Sequence, residues 1–429
     1  MVTPGTILTV TIEKPAAGGR MLARHDGQVV LVSGAIPGER VRARVEHARG
    51  GVLHAAVVDV EEASPDRRHP HGDPLCGGDV LAHVAYARQL DLKREIVADA
   101  FSRLAKLPLD RPVPVRPSPE HGYRMRARLH ARGGRIGFFR EGTHDLCDAG
   151  STRQLLDATA GLLDEIAAAA RAVGVTALRE IEIGENVSAT ERALLLEVGP
   201  GTADREIAAI GRVATRDGIT GVVVTRPEQP RVAGRGGDPY VADAWALDVG
   251  GRTASLEVRR HVSSFFQGNR FLVTPLVEAV VDLLPPGPLV ELYAGVGLFG
   301  LAFAALERGS VTAVEGDRQA AEDLAANARP LGAAVRVSAQ SVEAFLTRAT
   351  LDAAATVLVD PPRTGMSRDA ARAIAAAGAP RVAYVSCDVA TMARDARRLT
   401  DAGYVLRHIE AFDLFPNTAH VELVSVFER

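Results

Sequence analysis

The chain has 429 residues, a hydrophobic content of 47%, a formal net charge of −3 and three cysteines. Its length exceeds what one core usually supports and predicts two or three domains. No apolar run approaches a membrane-spanning length, and Met1 to Lys14 lacks a charged-then-apolar leader, so neither a membrane protein nor an exported one is expected, and the cytoplasm is the default compartment. Three cysteines far apart in sequence suggest no disulfide framework, which fits a reducing compartment. Total charge does not advertise a nucleic-acid partner, but residues 1–50 carry seven Lys/Arg against four acids.

From Thr6 to Val60, β-branched runs (7–12, 28–32, 40–46 and 52–60) are punctuated by Gly18-Gly19, Asp26-Gly27, Pro37-Gly38 and Gly50-Gly51. This pattern predicts a small antiparallel barrel over residues 1–65. It resembles the TRAM domain, an RNA-binding module, notably in Gly34-Ala35-Ile36-Pro37-Gly38-Glu39. Arg42 and Arg44 share one strand face, available either to RNA phosphates or simply to solvent.

Residues 66–257 form a central α+β region that opens on a Pro/His-rich linker and a helical stretch from Tyr86 to Leu104. Strict alternation over Tyr123–Leu129 then predicts a half-buried strand with Arg124, Arg126 and Arg128 on one side. Three guanidiniums in a row repel unless they meet anions, which favours an RNA or cofactor-side role over a solvated face. Leu155 to Val173 reads as an alanine-rich structural helix, and Gly174 to Val258 as sheet and packing.

Residues 258–429 carry the chemistry. Leu289–Leu292 reads as a buried strand, followed by a glycine turn with Gly295 and Gly297 and by a helix from Phe299. Twenty residues beyond Gly295, a second strand ends in Glu315, where an acidic residue commonly binds the two ribose hydroxyls of an adenosine. No arginine partner for a ribose phosphate is evident, which disfavours nicotinamide cofactors. Val357–Asp360 supplies a further strand beside the same crevice, Arg381–Ser386 another, and Cys387 stands just past the latter's carboxyl end. A free cysteine there is either a nucleophile or a buried small hydrophobe.

The order and spacing of Phe265-Phe266-Gln267-Gly268-Asn269, the glycine loop, Asp360-Pro361-Pro362-Arg363, Ser386-Cys387-Asp388 and His420-Val421-Glu422 resemble the RNA 5-methyluridine (uracil-C5) methyltransferase family from Phe265 to the C-terminus. The resemblance implies an α/β chain: a Rossmann-like class I methyltransferase domain preceded by the all-β (OB-like, TRAM) barrel and the central α+β domain. It implies S-adenosylmethionine as cofactor, contacted by Gln267, Tyr293, Glu315 and Asp360, with Ser341 near a further polar cofactor contact. Cys387 would be the nucleophile that adds to carbon 6 of the uracil, and Glu422 the base that removes the carbon-5 proton. Glu422 could otherwise be an ordinary surface acid. Phe265 and Phe266 are either stacking platforms for a splayed base or core.

Two kinds of departure stand out against that family. Leu298 replaces its usual loop asparagine, and Asp388 the asparagine that follows the nucleophile. Many members also hold an iron–sulfur cluster on four cysteines; here Cys76 keeps one position, Pro70 and Asp79 fill two others, Thr152 falls near the fourth, and Cys147 is out of register. Such a cluster needs thiolates, so none is expected. His69, His71, Cys76 and Asp79 match no usual zinc spacing, and no metal is expected. Retention of His83, Tyr86, Gln89, Leu90 and Lys93 still resembles the family. The expected substrate is ribosomal RNA rather than tRNA, because the TRAM-like barrel is commoner in that branch, and the expected state is a monomer. A cytosine-C5 methyltransferase, a small-molecule or protein methyltransferase and a catalytically silent RNA-binding protein are the alternatives.

Overall fold

A computed structural model describes residues 2–16, 18–227, 229–348 and 355–429. Five strands close the N-terminal barrel: β1 (Ile7–Pro15), β2 (Met21–His25), β3 (Gln28–Ser33), β4 (Arg40–Arg49) and β5 (Val52–Glu62), in the order β1-β2-β3-β5-β4. The short β2, squeezed between two glycine turns, is the strand that the β-branched runs do not reveal. Alternation sends Val41, Ala43 and Val45 inward and leaves Arg42 and Arg44 outside. Glu39 of the Pro-Gly-Glu turn is fully buried and accepts from the amides of Ile36 and Ser64 and from the Arg67 guanidinium, tying the barrel to the following linker.

Helix α1 (Tyr86–Ala100) runs on into a π-turn over Phe101–Ala105 and stops at Lys106, in the left-handed region. Strand β6 (Val115–Arg116) follows, and a seven-stranded central sheet is then built from β7 (Arg126–Arg132), β8 (Arg135–Phe139), β9 (Leu146–Asp148), β10 (Leu178–Glu185), β11 (Arg192–Val198), β12 (Gly221–Arg226) and β13 (Gln229–Gly237). Helices α2 (Asp157–Ala172) and α3 (Asp204–Ala214) supply apolar side chains to the core of this sheet. The expected strand over 123–129 is thus shifted: its first half leaves the ladder. Met125 N donates to Gly268 O at 2.9 Å and Arg270 N to Tyr123 O at 2.9 Å, pinning that half to the Phe-Phe-Gln-Gly-Asn segment.

The hairpin β14 (Tyr240–Val249)–β15 (Arg252–His261) packs Trp245, Leu247, Leu256 and Val258 into the core shared with α4 (Val273–Asp282). A boundary at 257/258 cuts through it. The C-terminal sheet comprises β16 (Leu289–Leu292), β17 (Val311–Glu315), β18 (Val335–Ala339), β19 (Thr356–Val359), β20 (Arg381–Ser386), β21 (Val405–Phe412) and β22 (Glu422–Glu428). The order is β18-β17-β16-β19-β20-β22-β21-β6, parallel from β18 to β20 and with β22 antiparallel. Fully buried β16 and β19 are continuous apolar runs except for Glu291 and Thr356, as a sheet covered on both faces requires. Helices α5 (Leu298–Ala305) and α6 (Arg318–Ala328) cover one face with α4; α7 (Val342–Arg348), α8 (Arg368–Ala377) and α9 (Val389–Asp401) cover the other, joined by α1. No helix among the described residues is long and apolar enough to cross a membrane.

The cysteines correct one expectation. Cys76 and Cys147 form a disulfide, with a Cα–Cα distance of 5.7 Å across a separation of 71 residues, because the β8–β9 hairpin folds back beside the linker, where Gly77 N donates to Phe139 O at 2.9 Å. Sequence separation alone cannot reveal such a pairing. Asp79, beside it, is buried, and desolvation followed by the charge of Asp73 pushes its carboxyl up to about 7.

The retained His83, Tyr86, Gln89 and Lys93 prove to be anchors. Lys93 pairs with Asp413, both side chains fully buried, and donates to Phe415 O at 3.1 Å; Tyr86 OH donates to Asp413 Oδ2 at 2.9 Å. Gln89 clasps Asn417 with two hydrogen bonds, of 2.8 and 2.9 Å. Asn417 holds a φ of 63°, so this grip fixes a left-handed residue in the loop leading to Glu422.

Two outcomes are expected. The unfolded, unreduced protein should show one reactive thiol, Cys387, and three after reduction, counted with a chromogenic disulfide reagent. Lys93→Met should destabilise the chain by about 3–5 kcal/mol in urea unfolding by leaving Asp413 buried without its cation, and the further change Asp413→Leu should recover much of that loss.

Candidate active site

The carboxyl ends of β16, β19 and β20 lie side by side next to β17, where the chain switches from one side of β16 to the other; open α/β sheets bind ligands at such a point. After β16, Tyr293 takes a φ of 61° and Gly295 one of 56°, so the backbone turns sharply at the strand end. A Cβ built on Gly295 meets no atom within 4 Å, whereas one on Gly297 would strike Leu301 and Leu324 at 2.6 Å. Gly295 therefore faces open space and Gly297 serves packing. Glu291, buried beneath the loop, accepts from Gly300 N at 3.1 Å, and its carboxyl is pushed up to about 8, mainly by desolvation. The glutamate of the Glu-x-x-x-Gly-x-Gly run is thus a support for the loop.

Glu315 ends β17 with its carboxylate at the loop, accepting from Gly295 N at 2.7 Å and from Asp317 N at 2.6 Å. Ser341 caps α7, accepting from Ala344 N at 3.2 Å, and lies beside Gly316. Gln267 is buried in the segment pinned to Met125, and Asn269 caps α4 through the amides of Phe271 and Leu272. Leu298 is buried in the core, so no polar loop contact is lost to solvent there. Asp388 accepts from Thr391 N at 2.8 Å and caps α9 as an asparagine would, which gives this departure a local structural role.

Antiparallel pairing of β20 with β22 ends at Ser386 opposite Leu423, and the next step of that register sets Cys387 opposite Glu422. Asp360 stands one residue past β19 on the adjacent strand. Burial, then the neighbouring Glu422 and Asp360, push the Cys387 thiol up to about 12, opposed by the nearby Arg363 guanidinium. Glu422 is 2% exposed, and desolvation followed by Asp360 raises its carboxyl well above the ordinary range, again against Arg363. Desolvation raises Asp360 to about 7. Three acids thus crowd around a single exposed cation. Arg363 was visible in the Asp-Pro-Pro-Arg run, yet spacing alone gave it no role; only the folding of that turn against β20 does so.

The remaining candidates divide. Phe265 is 60% exposed, with Arg126 over its ring at 5.4 Å. Phe266 is buried, stacked on Trp245 and covered by Arg260, and offers no face to a base. Arg126 pairs with Glu182, Arg128 with Glu180 at 2.6 Å, and Arg124 donates to Gln154 at 2.7 Å while lying over Phe138 and Phe415. The anions that the arginine row calls for come from β10 itself, so repulsion within the row is no argument for RNA. Arg42 pairs with Asp59 at 3.4 Å; Arg44 is exposed.

Comparison with known proteins agrees with this geometry. A family model described as tRNA (Uracil-5-)-methyltransferase matches residues 237–429, and the TRAM domain matches residues 2–58. The chain is 31% identical over 435 residues to the 23S rRNA (uracil(1939)-C(5))-methyltransferase RlmD of Pseudomonas putida, covering 97% of this chain and 92% of that one. It is 32% identical to an uncharacterized RNA methyltransferase of Streptomyces avermitilis, covering 98% of this chain and 97% of the relative. The crystal structure of Pyrococcus abyssi tRNA (uracil-54, C5)-methyltransferase in complex with S-adenosyl-L-homocysteine shares the fold, with a TM-score of 0.76 over 97% of this chain and 99% of that one at 22% identity. With a TRAM barrel at one end and a class I methyltransferase sheet at the other, the chain belongs to the RNA uracil-C5 methyltransferase family.

Proposed function

We propose that this protein methylates carbon 5 of a uridine in 23S ribosomal RNA, acting as a monomer in the cytoplasm with S-adenosylmethionine as methyl donor. The observation that carries the reading is the convergence of Cys387, Glu422, Asp360 and Arg363 beside the open Gly295 loop. All of these come from a single chain. A relative that matches along nearly the whole length, from Pseudomonas putida, is named for 23S rRNA, which favours that substrate over tRNA. A ribosomal substrate implies the cytoplasm, where the Cys76–Cys147 bridge would be open to reduction.

The cleft fits the cofactor on its own chemistry. The Glu315 carboxylate at a strand end is suited to ribose hydroxyls, the open face of Gly295 admits a close backbone approach, Tyr293 and Asp360 follow the paired ends of β16 and β19, Ser341 lies beside Gly316, and Gln267 is proposed as a further contact. When bound, S-adenosylmethionine supplies an electrophilic methyl group on a positively charged sulfur. The Cys387 thiolate adds to carbon 6 of the uracil, and the electron pair displaced toward carbon 5 makes that carbon nucleophilic. Glu422, opposite Cys387, then takes the carbon-5 proton, so that the carbon–sulfur bond breaks and the thiolate leaves. Arg363 favours the ionised forms of both Cys387 and Glu422 by its charge. Arg42 and Arg44 on the barrel and the exposed Phe265, with Arg124, Arg126 and Arg128 behind it, are proposed RNA contacts. Residues 1–65 would bind RNA and 258–429 perform the chemistry, the central region holding the two together.

Mapping 5-methyluridine in ribosomal and transfer RNA of a strain lacking the protein should show one ribosomal site lost relative to the parent; loss from tRNA alone would overturn the substrate assignment. Cys387→Ala should abolish turnover and leave no covalent RNA adduct, whereas Glu422→Gln should stall after methyl transfer and accumulate one, seen as a slow band on denaturing gels. Retained turnover in Cys387→Ala would remove the nucleophile.

A pH test needs no RNA. Only thiolate is alkylated, and a thiol raised to about 12 stays mostly protonated below that value, so its reactive fraction climbs through the whole accessible range. Iodoacetamide alkylation of Cys387 should therefore rise about tenfold per pH unit between about pH 7 and about pH 10, with no plateau near the ordinary thiol value. Arg363→Gln should slow it further at every pH. A plateau below about pH 9 would contradict the buried, acid-crowded thiol.

A further inference from the structure

Helices α8 and α9 leave between them, on the outer face of the methyltransferase sheet, a cavity of about 850 Å³ that none of the chemistry above uses. Five arginines line it, Arg368, Arg372, Arg394, Arg397 and Arg398, over a floor of alanines with Leu104 at one wall, and no carboxylate is part of the lining. The arginines are not loose. Asp395, itself fully buried, accepts from Arg394 Nε at 3.0 Å and from Arg398 at 2.8 Å, and also from Tyr384 OH and Met366 N, each at 2.8 Å. Its charge orients two guanidiniums while offering nothing to the groove. Arg397 pairs with Asp401 at 2.9 Å, Arg372 only loosely with Asp369 at 3.8 Å, and Arg368 has no ion pair among the described residues.

One end of the groove is tied to the segments that carry the catalytic residues. Arg394 donates to Thr364 O at 2.8 Å, next to Arg363, and α9 begins two residues after Cys387. We infer that this groove is a second RNA-binding surface, a track for the phosphates of the strand flanking the target uridine, with the alanine floor leaving room for a ribose or base. Charge complementarity selects that occupant: fixed guanidiniums suit phosphate oxygens, and no carboxylate lines the groove to repel them. The inference rests on the RNA-methylating reading above.

The test uses the full chain and a 23S ribosomal RNA transcript. The triple variant Arg368→Gln, Arg372→Gln, Arg397→Gln spares the two arginines held by Asp395. It should weaken RNA binding at least about tenfold at moderate salt and flatten the plot of log affinity against log salt by about 2, since each lost phosphate contact to a single strand removes about 0.7 from the slope. S-adenosylmethionine affinity should hold, reporting an intact fold, and the corresponding triple lysine variant should keep the slope. Should the triple glutamine variant unfold, Arg368→Gln alone is expected to remove about 0.7 from the slope. Unchanged affinity and slope in a folded variant overturn the inference. A parent protein that forms no 5-methyluridine in the transcript overturns instead the functional reading; a parent that does, with an unaffected variant, sinks the groove alone.

Discussion

The buried ion pair of Lys93 with Asp413 is the constraint on which the arrangement of the site depends. Asp413 directly follows β21, and the seven residues 414–420 and then Val421 separate it from Glu422. A segment with a proline and a left-handed asparagine would have many ways to cross that gap. Lys93 holds its start, Gln89 and Arg68 grip Asn417, and Leu81 N donates to Asn417 O at 2.8 Å. Helix α1 thereby determines where β22 starts, and so which residue of that strand stands opposite Cys387. Because both ions are out of water, neither can be lost alone without leaving the other uncompensated, which makes the arrangement costly to disturb.

Electrostatics at the site follow from the same burial. Cys387, Glu422 and Asp360 are each held toward their protonated forms by desolvation, and Glu422 also by the charge of Asp360. A resting site of this kind keeps its nucleophile as a thiol and is slow toward adventitious electrophiles. Arg363 opposes that bias, and it is exposed, so its position answers to whatever occupies the cleft. A cationic ligand would act in the same direction, favouring ionised carboxylates and thiolate at once. Activation of the cysteine is in this view tied to filling of the cleft rather than built into the empty enzyme.

Much of this was legible in the sequence where local chemistry dictates the result. Strand β20 and the position of Cys387 past its end follow from the apolar run Val382–Val385, and the Gly295–Glu315 spacing brings its two partners within 2.7 Å. What could not be read depends on which distant segments meet. Phe265 and Phe266 are indistinguishable as letters, and only the arrival of Trp245 on the hairpin buries one and leaves the other exposed. Likewise, the alternation of Arg124, Arg126 and Arg128 is real, but its anions lie more than fifty residues away on β10, and Arg124 leaves the strand for Gln154.

The region around Cys76 is fastened to its surroundings by a covalent bond and by hydrogen bonds. Cys76 has found a new partner in Cys147, so the linker is still fastened to the central sheet. Gln154, near the same point, donates to Gly77 O and receives Arg124 and Tyr123 OH on its side-chain oxygen. A chain of contacts thus runs from the disulfide loop through Gln154 to Arg124, whose guanidinium lies over Phe415 in the loop that leads to Glu422. The region bears on the active site through packing and hydrogen bonds. Among its residues, Tyr86, Gln89 and Lys93 hold the loop that leads to Glu422, while His83 bonds Ala35 O of the barrel at 3.1 Å.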